Sequence, residues 1–269
     1  MADLKIGVVG AAGRMGGAVI RQVMQTKGCA VAAAVEAAGN PAIGRDAGEM
    51  AGIGRIDLAI APDSPALFAS CDAVIEFSSP AATVAHSKAA AKAGCIHVIG
   101  TTGLEKPQEA ALKAAARKVP VVYAPNMSLA VNALFALTRR VAALLDDEFD
   151  IEIVEMHHRH KVDAPSGTAL GLGRAAAAGR GVALDKVGDF ARHGITGARK
   201  RGRIGFAALR GGDVVGEHTV IFAADGERLE LSHKATSRQI FARGAVRAAL
   251  WAKGKKPGLY MMADVLGLD

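Results

Sequence analysis

The sequence predicts an α/β fold of two domains, a parallel sheet flanked by helices and an α+β domain with a mixed or antiparallel sheet. In the first half of the chain, short apolar runs alternate with helical segments, which is typical of βαβ units and a parallel sheet. Between residues 205 and 235, strand-like runs follow one another without a helix, which favours mixed or antiparallel pairing. The length of 269 residues suits one large or two modest domains.

The elements of the first half follow from apolar runs and their boundaries. Residues 4–10 form a short apolar run that ends in glycine, which predicts a buried strand. Residues 37–54 are rich in glycine and alanine and fit no element clearly. The other expected elements are helix 14–25, strand 30–36, strand 73–77, helix 81–93, strand 96–100, helix 106–118 and strand 121–124.

The pattern changes after about residue 126. A long apolar helix, 130–145, leads to a strand at 150–155, and another helix follows Pro165. The remaining elements are expected to be strands 205–210, 215–223 and 228–235, helix 237–252 and strand 258–260. His218 and His233 fall in predicted strands and are interpreted as hydrogen-bonded structural histidines.

Composition narrows the classes of function. A net charge of +7 suits an ordinary basic surface or the attraction of nucleotides and dicarboxylates. Nucleic acid is not an expected partner, because no Lys/Arg tract interleaves with the few aromatic residues, 4% of the chain. The basic run 198–203 is interpreted as a solvated loop, with a charge funnel for an anionic substrate or a nucleic-acid contact as alternatives.

Cysteine usage and hydropathy point to a cytoplasmic location. Cys29, Cys71 and Cys95 are odd in number and widely spaced, which favours small buried side chains over disulfides or a zinc site. The chain shows no signal-peptide pattern, and no stretch is long and apolar enough to span a membrane. We therefore expect a cytoplasmic protein without a membrane partner.

The segment between the first strand and the first helix has the GxxGxxG spacing of a dinucleotide-binding loop. Such glycines permit a tight turn, close approach of the backbone to a pyrophosphate, and close helix–strand packing. Glu36 ends the second strand, where an acid binds the ribose hydroxyls. This predicts a Rossmann-type domain, with a purely structural glycine turn as the alternative. The predicted loop comprises Gly10, Ala11, Ala12, Gly13, Arg14, Met15 and Gly16.

Three further residues bear on the nucleotide. Arg14 is interpreted as a partner of a cofactor phosphate or as a solvated side chain at a helix start. Ala37 stands where a basic residue would help to hold a 2′-phosphate, which favours NADH, or both NADH and NADPH, over strict use of NADPH. Thr101 follows a strand at the carboxyl edge of the sheet, where ligands of such sheets bind.

Three of the eight histidines lie within four residues, at 157–160. In an extended chain His157, Arg159 and Lys161 face one way. Histidine donates protons near neutral pH, and lysine supplies a charge for a carboxylate. These residues therefore predict a proton-donating and anion-binding site. Two alternatives are a metal site on His158 and His160 and a solvated basic strand end.

A second anion-holding device follows within a dozen residues. The sequence Pro-Ser-Gly-Thr at 165–168 starts a helix, whose first backbone N–H groups and two hydroxyls are able to hold a carboxylate. Two such devices beside a candidate acid fit a dicarboxylate substrate.

The string EMHHRHKVDAPSGTA at 155–169 resembles the signature of the dihydrodipicolinate reductase family. The similarity extends over nearly the whole chain. It also includes the glycine loop, IGTTG at 99–103, APNMS at 124–128, RGGDVVGEHTV at 210–220 and FARGAVRAALW at 241–251. The resemblance implies reduction of 4-hydroxy-tetrahydrodipicolinate, with loss of water, by NADH or NADPH in lysine and diaminopimelate synthesis.

The resemblance also implies roles for individual residues. His157 would be the proton donor and Lys161 the substrate partner. The substrate carboxylates would be held by His158, Gly167 and Thr168, with Ser166 beside them. The nicotinamide would be lined by Gly100, Thr101, Thr102, Ala124, Pro125, Asn126 and Met127.

The domain boundaries and the assembly are likewise implied by the family. Residues 1–126 and 239–269 would bind the dinucleotide, and residues 127–238 would bind substrate and hold a homotetramer together. Simple strand alternation would point His157 and His158 apart, so the chain is expected to leave regular strand geometry there. Residues 77–79 lack the basic residue that some family members carry near this loop.

Three other functions remain as alternatives. A dehydrogenase acting on an amino acid or aldehyde would share the nucleotide fold, and a nucleotide sensor would have a silent site. A basic nucleic-acid-binding module belongs to a third class, and salt-dependent retention on DNA would distinguish it.

Overall fold

The structure is a computed structural model that describes residues 2–268. It divides into two compact units: one runs from the start of the described chain to Leu129 and from Arg238 to the end of it, and the other covers Ala130–Ser237. The predicted α/β class, with a parallel sheet and a second mixed sheet, is confirmed. No helix within the described range is long and apolar enough to cross a membrane.

The predicted elements are present in the predicted order, and six further short elements of the described chain lie between or after them. Up to residue 144 they are β1 (Leu4–Val9), α1 (Arg14–Gln25), β2 (Cys29–Glu36), α2 (Ala47–Ala51), β3 (Ala61–Pro62), α3 (Ala66–Ser70), β4 (Ala73–Glu76), α4 (Pro80–Ala93), β5 (Ile96–Ile99), α5 (Lys106–Ala116), β6 (Pro120–Tyr123) and α6 (Leu129–Leu144). The later elements are β7 (Asp150–His157), α7 (Gly167–Gly179), α8 (Leu184–Val187), β8 (Gly188–Asp189), β9 (Ile204–Arg210), β10 (Gly216–Ala224), β11 (Glu227–Ala235), α9 (Gln239–Ala252), β12 (Gly258–Tyr260) and α10 (Met262–Leu266).

The first unit is built on a seven-stranded sheet in the order β12-β6-β5-β4-β1-β2-β3, and every pairing in it is parallel. All four residues of β4 and of β5 are buried, as expected for strands covered by helices on both faces. Because all strands run the same way, the loops after β1 to β6 meet at one edge, where ligands of such sheets bind.

Helix α9 returns the chain to the first unit and packs closely because its residues are small. Its buried residues are mostly alanines. A Cβ at Gly244 would lie 1.7 Å from the Met127 carbonyl oxygen, so only glycine permits this approach. At this contact the core is therefore filled by close approach of backbone rather than by large side chains.

The second unit is built on a five-stranded sheet in the order β11-β10-β7-β9-β8. Strand β10 is antiparallel to both neighbours, whereas β7, β9 and β8 are parallel, so the sheet is mixed. Along β7 every second residue is buried. The buried face carries Ile151 and Ile153 and then Glu155 and His157, so the same alternation that builds the core brings two polar groups to its end.

Three predictions need correction. Residues 37–54, which fitted no element, form turns followed by α2. The basic run 198–203 is not simply a solvated loop, because Arg199 bonds to Asp150 at 2.6 Å and to Glu152 at 2.9 Å. Strand β7 extends to His157, two residues beyond its predicted end.

Candidate active site

The glycine loop joins β1 to α1 in a conformation that demands glycine at two positions. Gly10 has a φ of +71°, which L side chains rarely adopt. A Cβ at Gly16 would lie 2.1 Å from the Gly10 carbonyl oxygen, closer than any real contact. These are the tight turn and the close packing that a pyrophosphate site requires, so the loop fits a dinucleotide.

Gly16→Ala is expected to destabilise the first unit by about 1–3 kcal/mol, because the added methyl group has no space against the backbone. It is also expected to weaken NADH binding, because the loop must move. Thermal unfolding and a fluorescence titration with NADH measure the two effects.

Gly17→Ala is the matched control in the same helix. Its Cβ would find no atom closer than 3.6 Å, so the variant is expected to be at least as stable as the wild type. Equal stability of the two variants would contradict the packing argument.

Glu36 lies at the end of β2 and faces the glycine loop. One carboxylate oxygen accepts from Ala12 N at 3.1 Å, and the other accepts from Ala37 N at 3.0 Å. The acid predicted to bind ribose is thereby held next to the loop predicted to bind pyrophosphate.

The loops after β4, β5 and β6 are joined at the same edge. Gly100 N donates to the Glu76 carbonyl oxygen at 2.9 Å, and Ser78 N donates to Thr101 Oγ1 at 3.0 Å. A Cβ at Gly100 would lie 2.1 Å from the Phe77 ring, so glycine allows the ring to pack against this loop. Ala124 N donates to the Ile99 carbonyl oxygen at 3.2 Å.

The residues predicted to line the nicotinamide differ in how exposed they are. Thr101, Ala124 and Met127 are buried beneath the edge, whereas Thr102 and Pro125 are exposed at it. The nicotinamide assignment stays a prediction.

In the second unit, Glu155 is the centre of a polar cluster. It is 1% exposed and accepts two hydrogen bonds from Arg210, at 2.8 and 2.9 Å, and one from Ser166 N at 3.0 Å. It also lies 2.6 Å from Nδ1 of His157. Burial by itself would raise the pKa of Glu155, but Arg210, His157 and Ser166 N together lower it, so the carboxylate is ionised.

The ionised carboxylate fixes the orientation of the His157 ring. A carboxylate only accepts, so Nδ1 of His157 carries a hydrogen, and Nε2 is the atom left for a ligand. A Cβ at Gly216 would lie 3.0 Å from this Nε2, so glycine on β10 leaves room for the ring. The pair resembles other carboxylate–histidine arrangements that orient a proton-transferring imidazole.

His218 packs against His157 and stays uncharged. The two rings meet edge to face with centroids 5.1 Å apart. Burial and the neighbouring His157 lower the pKa of His218 to about 4. The prediction that His218 and His233 are fully hydrogen-bonded is wrong in part: His218 Nε2 lies 3.0 Å from Ser166 Oγ, but the buried Nδ1 atoms of both histidines have no partner in the described part of the chain.

The chain leaves strand geometry directly after His157, as the joint use of His157 and His158 requires. A turn follows, in which Lys161 N donates to the His158 carbonyl oxygen at 3.1 Å. The prediction that His157, Arg159 and Lys161 share one strand face is therefore wrong.

Lys161 forms an ion pair with Asp163. Its Nζ lies 2.7 Å from the exposed carboxylate of Asp163, a pair that solvent screens and that a substrate carboxylate is able to replace.

The amino terminus of α7 lies next to this cluster. Ser166 caps the helix by accepting from Ala169 N at 3.0 Å, so its hydroxyl is committed to the helix and to His218. The first turn contains no acidic residue, and a Cβ at Gly167 would meet nothing within 4 Å. The space next to Gly167 is therefore open, and the positive end of the helix dipole favours an anion there.

Sequence reasoning missed Glu155 and Arg210. The spacing of Glu155, two residues before His157 on one strand, was a signal that would have found it. Arg210 lies opposite His157 in the pairing of β7 with β9, and nothing local in the sequence predicts that register. Across residues 2–268, no group of three or more His, Cys, Asp or Glu side chains is arranged to hold a metal ion.

Comparison with known proteins gives matches over both units. The model of the family described as "Dihydrodipicolinate reductase, N-terminus" matches residues 4–127, and that described as "Dihydrodipicolinate reductase, C-terminus" matches residues 130–266. A Parvibaculum lavamentivorans protein named 4-hydroxy-tetrahydrodipicolinate reductase is 57% identical over 100% of this chain and 99% of its own. One from Mesorhizobium japonicum, 4-hydroxy-tetrahydrodipicolinate reductase 1, is 57% identical over 99% of this chain and 98% of its own.

Solved structures share the fold. Dipicolinate-bound dihydrodipicolinate reductase from Paenisporosarcina sp. TG-14 has a TM-score of 0.75 at 20% identity, covering 97% of this chain and 98% of its own. GenD2 from gentamicin A biosynthesis, in complex with NAD, has a TM-score of 0.61 at 14% identity, covering 100% and 91%. At such identities the likeness concerns the fold alone.

Proposed function

The chain belongs to the dihydrodipicolinate reductase family, and from that premise we propose how its residues carry out the family's reaction. The protein is a 4-hydroxy-tetrahydrodipicolinate reductase, an NAD(P)H-dependent oxidoreductase of lysine and diaminopimelate synthesis. It reduces 4-hydroxy-tetrahydrodipicolinate to tetrahydrodipicolinate: one hydride and one proton are taken up, and one water leaves. The nicotinamide of the bound cofactor supplies the hydride.

In the first unit, the glycine loop holds the pyrophosphate through backbone N–H groups, and Glu36 binds the ribose hydroxyls. Gly10 and Gly16 support this role because the φ of Gly10 is one that L side chains rarely adopt and because a Cβ at Gly16 would collide with the backbone. Gly100–Thr102 and Ala124–Met127 line the nicotinamide, since they lie in loops at the carboxyl edge of the sheet. We assign dinucleotide binding to residues 1–126 and 239–269 on these grounds.

In the second unit, His157 donates the proton through Nε2, while Glu155 holds the ring and Arg210 holds Glu155. Lys161 pairs with one substrate carboxylate. The other carboxylate binds at the amino terminus of α7, at Gly167 and Thr168, with His158 beside it and Ser166 as the cap that keeps the helix start in place. The observation that carries this proposal is a histidine ring fixed by a buried carboxylate, next to a helix start where Gly167 leaves open space.

The assembly and location are further parts of the proposal. Residues 127–238 bind the substrate and hold a homotetramer together in the cytoplasm, as in the family. The sheet of the second unit supports this, because Leu209 and Leu229 are large apolar side chains exposed on β9 and β11. Light scattering after gel filtration is expected to give four times the chain mass.

The reaction is tested by following the oxidation of NADH and NADPH with freshly generated 4-hydroxy-tetrahydrodipicolinate. Oxidation is expected only with the substrate present, and NADH is expected to serve at least as well as NADPH, because Ala37 offers no charge to a 2′-phosphate. A folded protein that binds nucleotide but oxidises neither cofactor would contradict the reductase assignment and favour another dehydrogenase or a sensor.

A further inference from the structure

A buried ionic chain lies in the first unit, away from the groups assigned to catalysis. Glu76 at the end of β4 is completely buried and hydrogen-bonds to Nδ1 of His86, which is 5% exposed on α4. Nε2 of His86 lies 2.8 Å from Oδ2 of Asp63, the residue directly after β3. His97 is a further neighbour of Glu76, at 3.6 Å.

The contacts of its two ring nitrogens require His86 to be positively charged. Each of its ring nitrogens faces a carboxylate, and carboxylates only accept, so both nitrogens carry hydrogens. Burial would lower the pKa of His86, but the bonds to Glu76 and Asp63 raise it to about 9. His86 therefore holds Asp63 in a fixed, ionised form.

Only one of the two carboxylate oxygens of Asp63 has a hydrogen-bond partner in the described part of the chain. Its backbone N–H donates to the Glu36 carbonyl oxygen at 2.8 Å, and its Oδ2 is taken by His86. Oδ1 has no hydrogen-bond partner among residues 2–268, and the side chain is 31% exposed. An anchored acceptor at the ligand edge of the sheet is thus available to a ligand that donates a hydrogen bond.

The position of Asp63 indicates which part of a nucleotide it would meet. Strands β1, β2 and β3 are successive neighbours, and adjacent strands lie about 4.8 Å apart. Their ends carry the glycine loop, Glu36 and Asp63 in that order. The proposed function places the pyrophosphate at the first and the ribose at the second. The next group of the dinucleotide in that direction is the adenine base.

We propose that Asp63, held by His86, is a specificity-determining residue that accepts a hydrogen bond from the 6-amino group of adenine. The inference rests on the proposed nucleotide site and extends it to the base. A carboxylate favours an amino group at that position and repels a carbonyl oxygen, so it discriminates between adenine and hypoxanthine. Glu76 has no direct contact with the base in this arrangement and acts by anchoring His86.

The test compares dissociation constants for NADH and for its hypoxanthine analogue, deamino-NADH, by fluorescence titration of the full-length protein. The wild type is expected to bind NADH about tenfold more tightly, the order expected for a hydrogen bond to a charged group that solvent partly screens. Asp63→Ala is expected to bring the two constants within about twofold. Asp63→Asn, which retains the side-chain volume and is able to donate to a carbonyl, is expected to favour deamino-NADH.

Asp3→Asn is the charge-matched control, because Asp3 is exposed just before β1, at the other end of the strands. It is expected to keep the wild-type preference. Equal binding of the two nucleotides by the wild type, or an unchanged preference in Asp63→Ala or Asp63→Asn, would overturn the inference. Failure of the wild type to bind either nucleotide would contradict the proposed function itself.

Discussion

His157→Ala is expected to lower turnover by about 10²–10⁴-fold, the usual contribution of an acid–base group, while NADH binding changes by less than about twofold. The reason is that Nε2 of His157 is the proposed proton-donating atom, whereas the loops proposed to bind the nucleotide belong to the other unit. Steady-state oxidation of NADH with substrate and a separate NADH titration give the two numbers.

His160→Ala is the control for this variant. His160 is exposed in the same turn and takes no part in the proposed chemistry, so near-wild-type turnover is expected. Unchanged turnover in His157→Ala would remove His157 from the mechanism.

Glu155→Gln separates positioning from proton transfer. The amide keeps the volume of the side chain but no longer requires Nδ1 of His157 to be the donor, and it leaves Arg210 without its ion pair. We expect turnover to fall at least about tenfold, as it does when such a carboxylate partner is removed elsewhere. A fall in thermal stability with full turnover would assign Glu155 a structural role only.

His86→Ala is expected to lower the free energy of unfolding by about 3–5 kcal/mol at neutral pH, because it removes the hydrogen bond from His86 to the buried carboxylate of Glu76. Burial by itself would raise the pKa of Glu76, but His97 and His86 lower it to about 2. The carboxylate is therefore ionised in the folded protein. Chemical denaturation of the wild type and the variant measures the difference.

The pH dependence of this difference has a definite sign. The pKa of His86 is raised from 6.5 to about 9, so its stabilising charge is fully present below pH 6.5 and is lost as pH rises through 9. The pKa of Glu76 is lowered from 4.5 to about 2, so its contribution is present above pH 4.5 and is lost as pH falls through 2. The stability difference is therefore expected to be largest between pH 4.5 and 6.5 and smaller above pH 9.

His193→Ala provides the comparison, since His193 is exposed in a loop of the second unit. Its effect is expected to stay within about 0.5 kcal/mol. A loss below about 1 kcal/mol in His86→Ala, or a difference that grows above pH 9, would contradict the account of the buried chain.

Local features of the sequence determined most of the first unit. Helix 14–25 and strand 258–260 have the bounds that were predicted, because each is defined by its own apolar pattern and by neighbouring glycine. The glycine loop was predictable for the same reason: its turn and its close contact depend on residues within a few positions of each other.

The candidate site was predicted only where its residues are close in sequence. His157, Lys161 and residues 165–168 form one continuous segment, which a local pattern and the resemblance both indicated. The chain leaves strand geometry after His157, as expected, so the shared strand face of His157, Arg159 and Lys161 was wrong. A turn follows in which Arg159 N and Lys161 N donate to the carbonyl oxygens of Gly212 and His158.

Only the tertiary structure decided which side chains contact each other when they are far apart in sequence. Arg210 reaches Glu155 because β9 pairs in parallel with β7. Asp63 follows β3 and Glu76 ends β4, two strands that β1 and β2 separate in the sheet, and His86 of α4 connects the two carboxylates. Periodicity specifies which face of an element is buried, but it does not specify which strand lies beside it or in what register. The sequence therefore determined most of the longer elements and the candidate proton donor, and the sheet pairings decided which charged side chains contact that candidate.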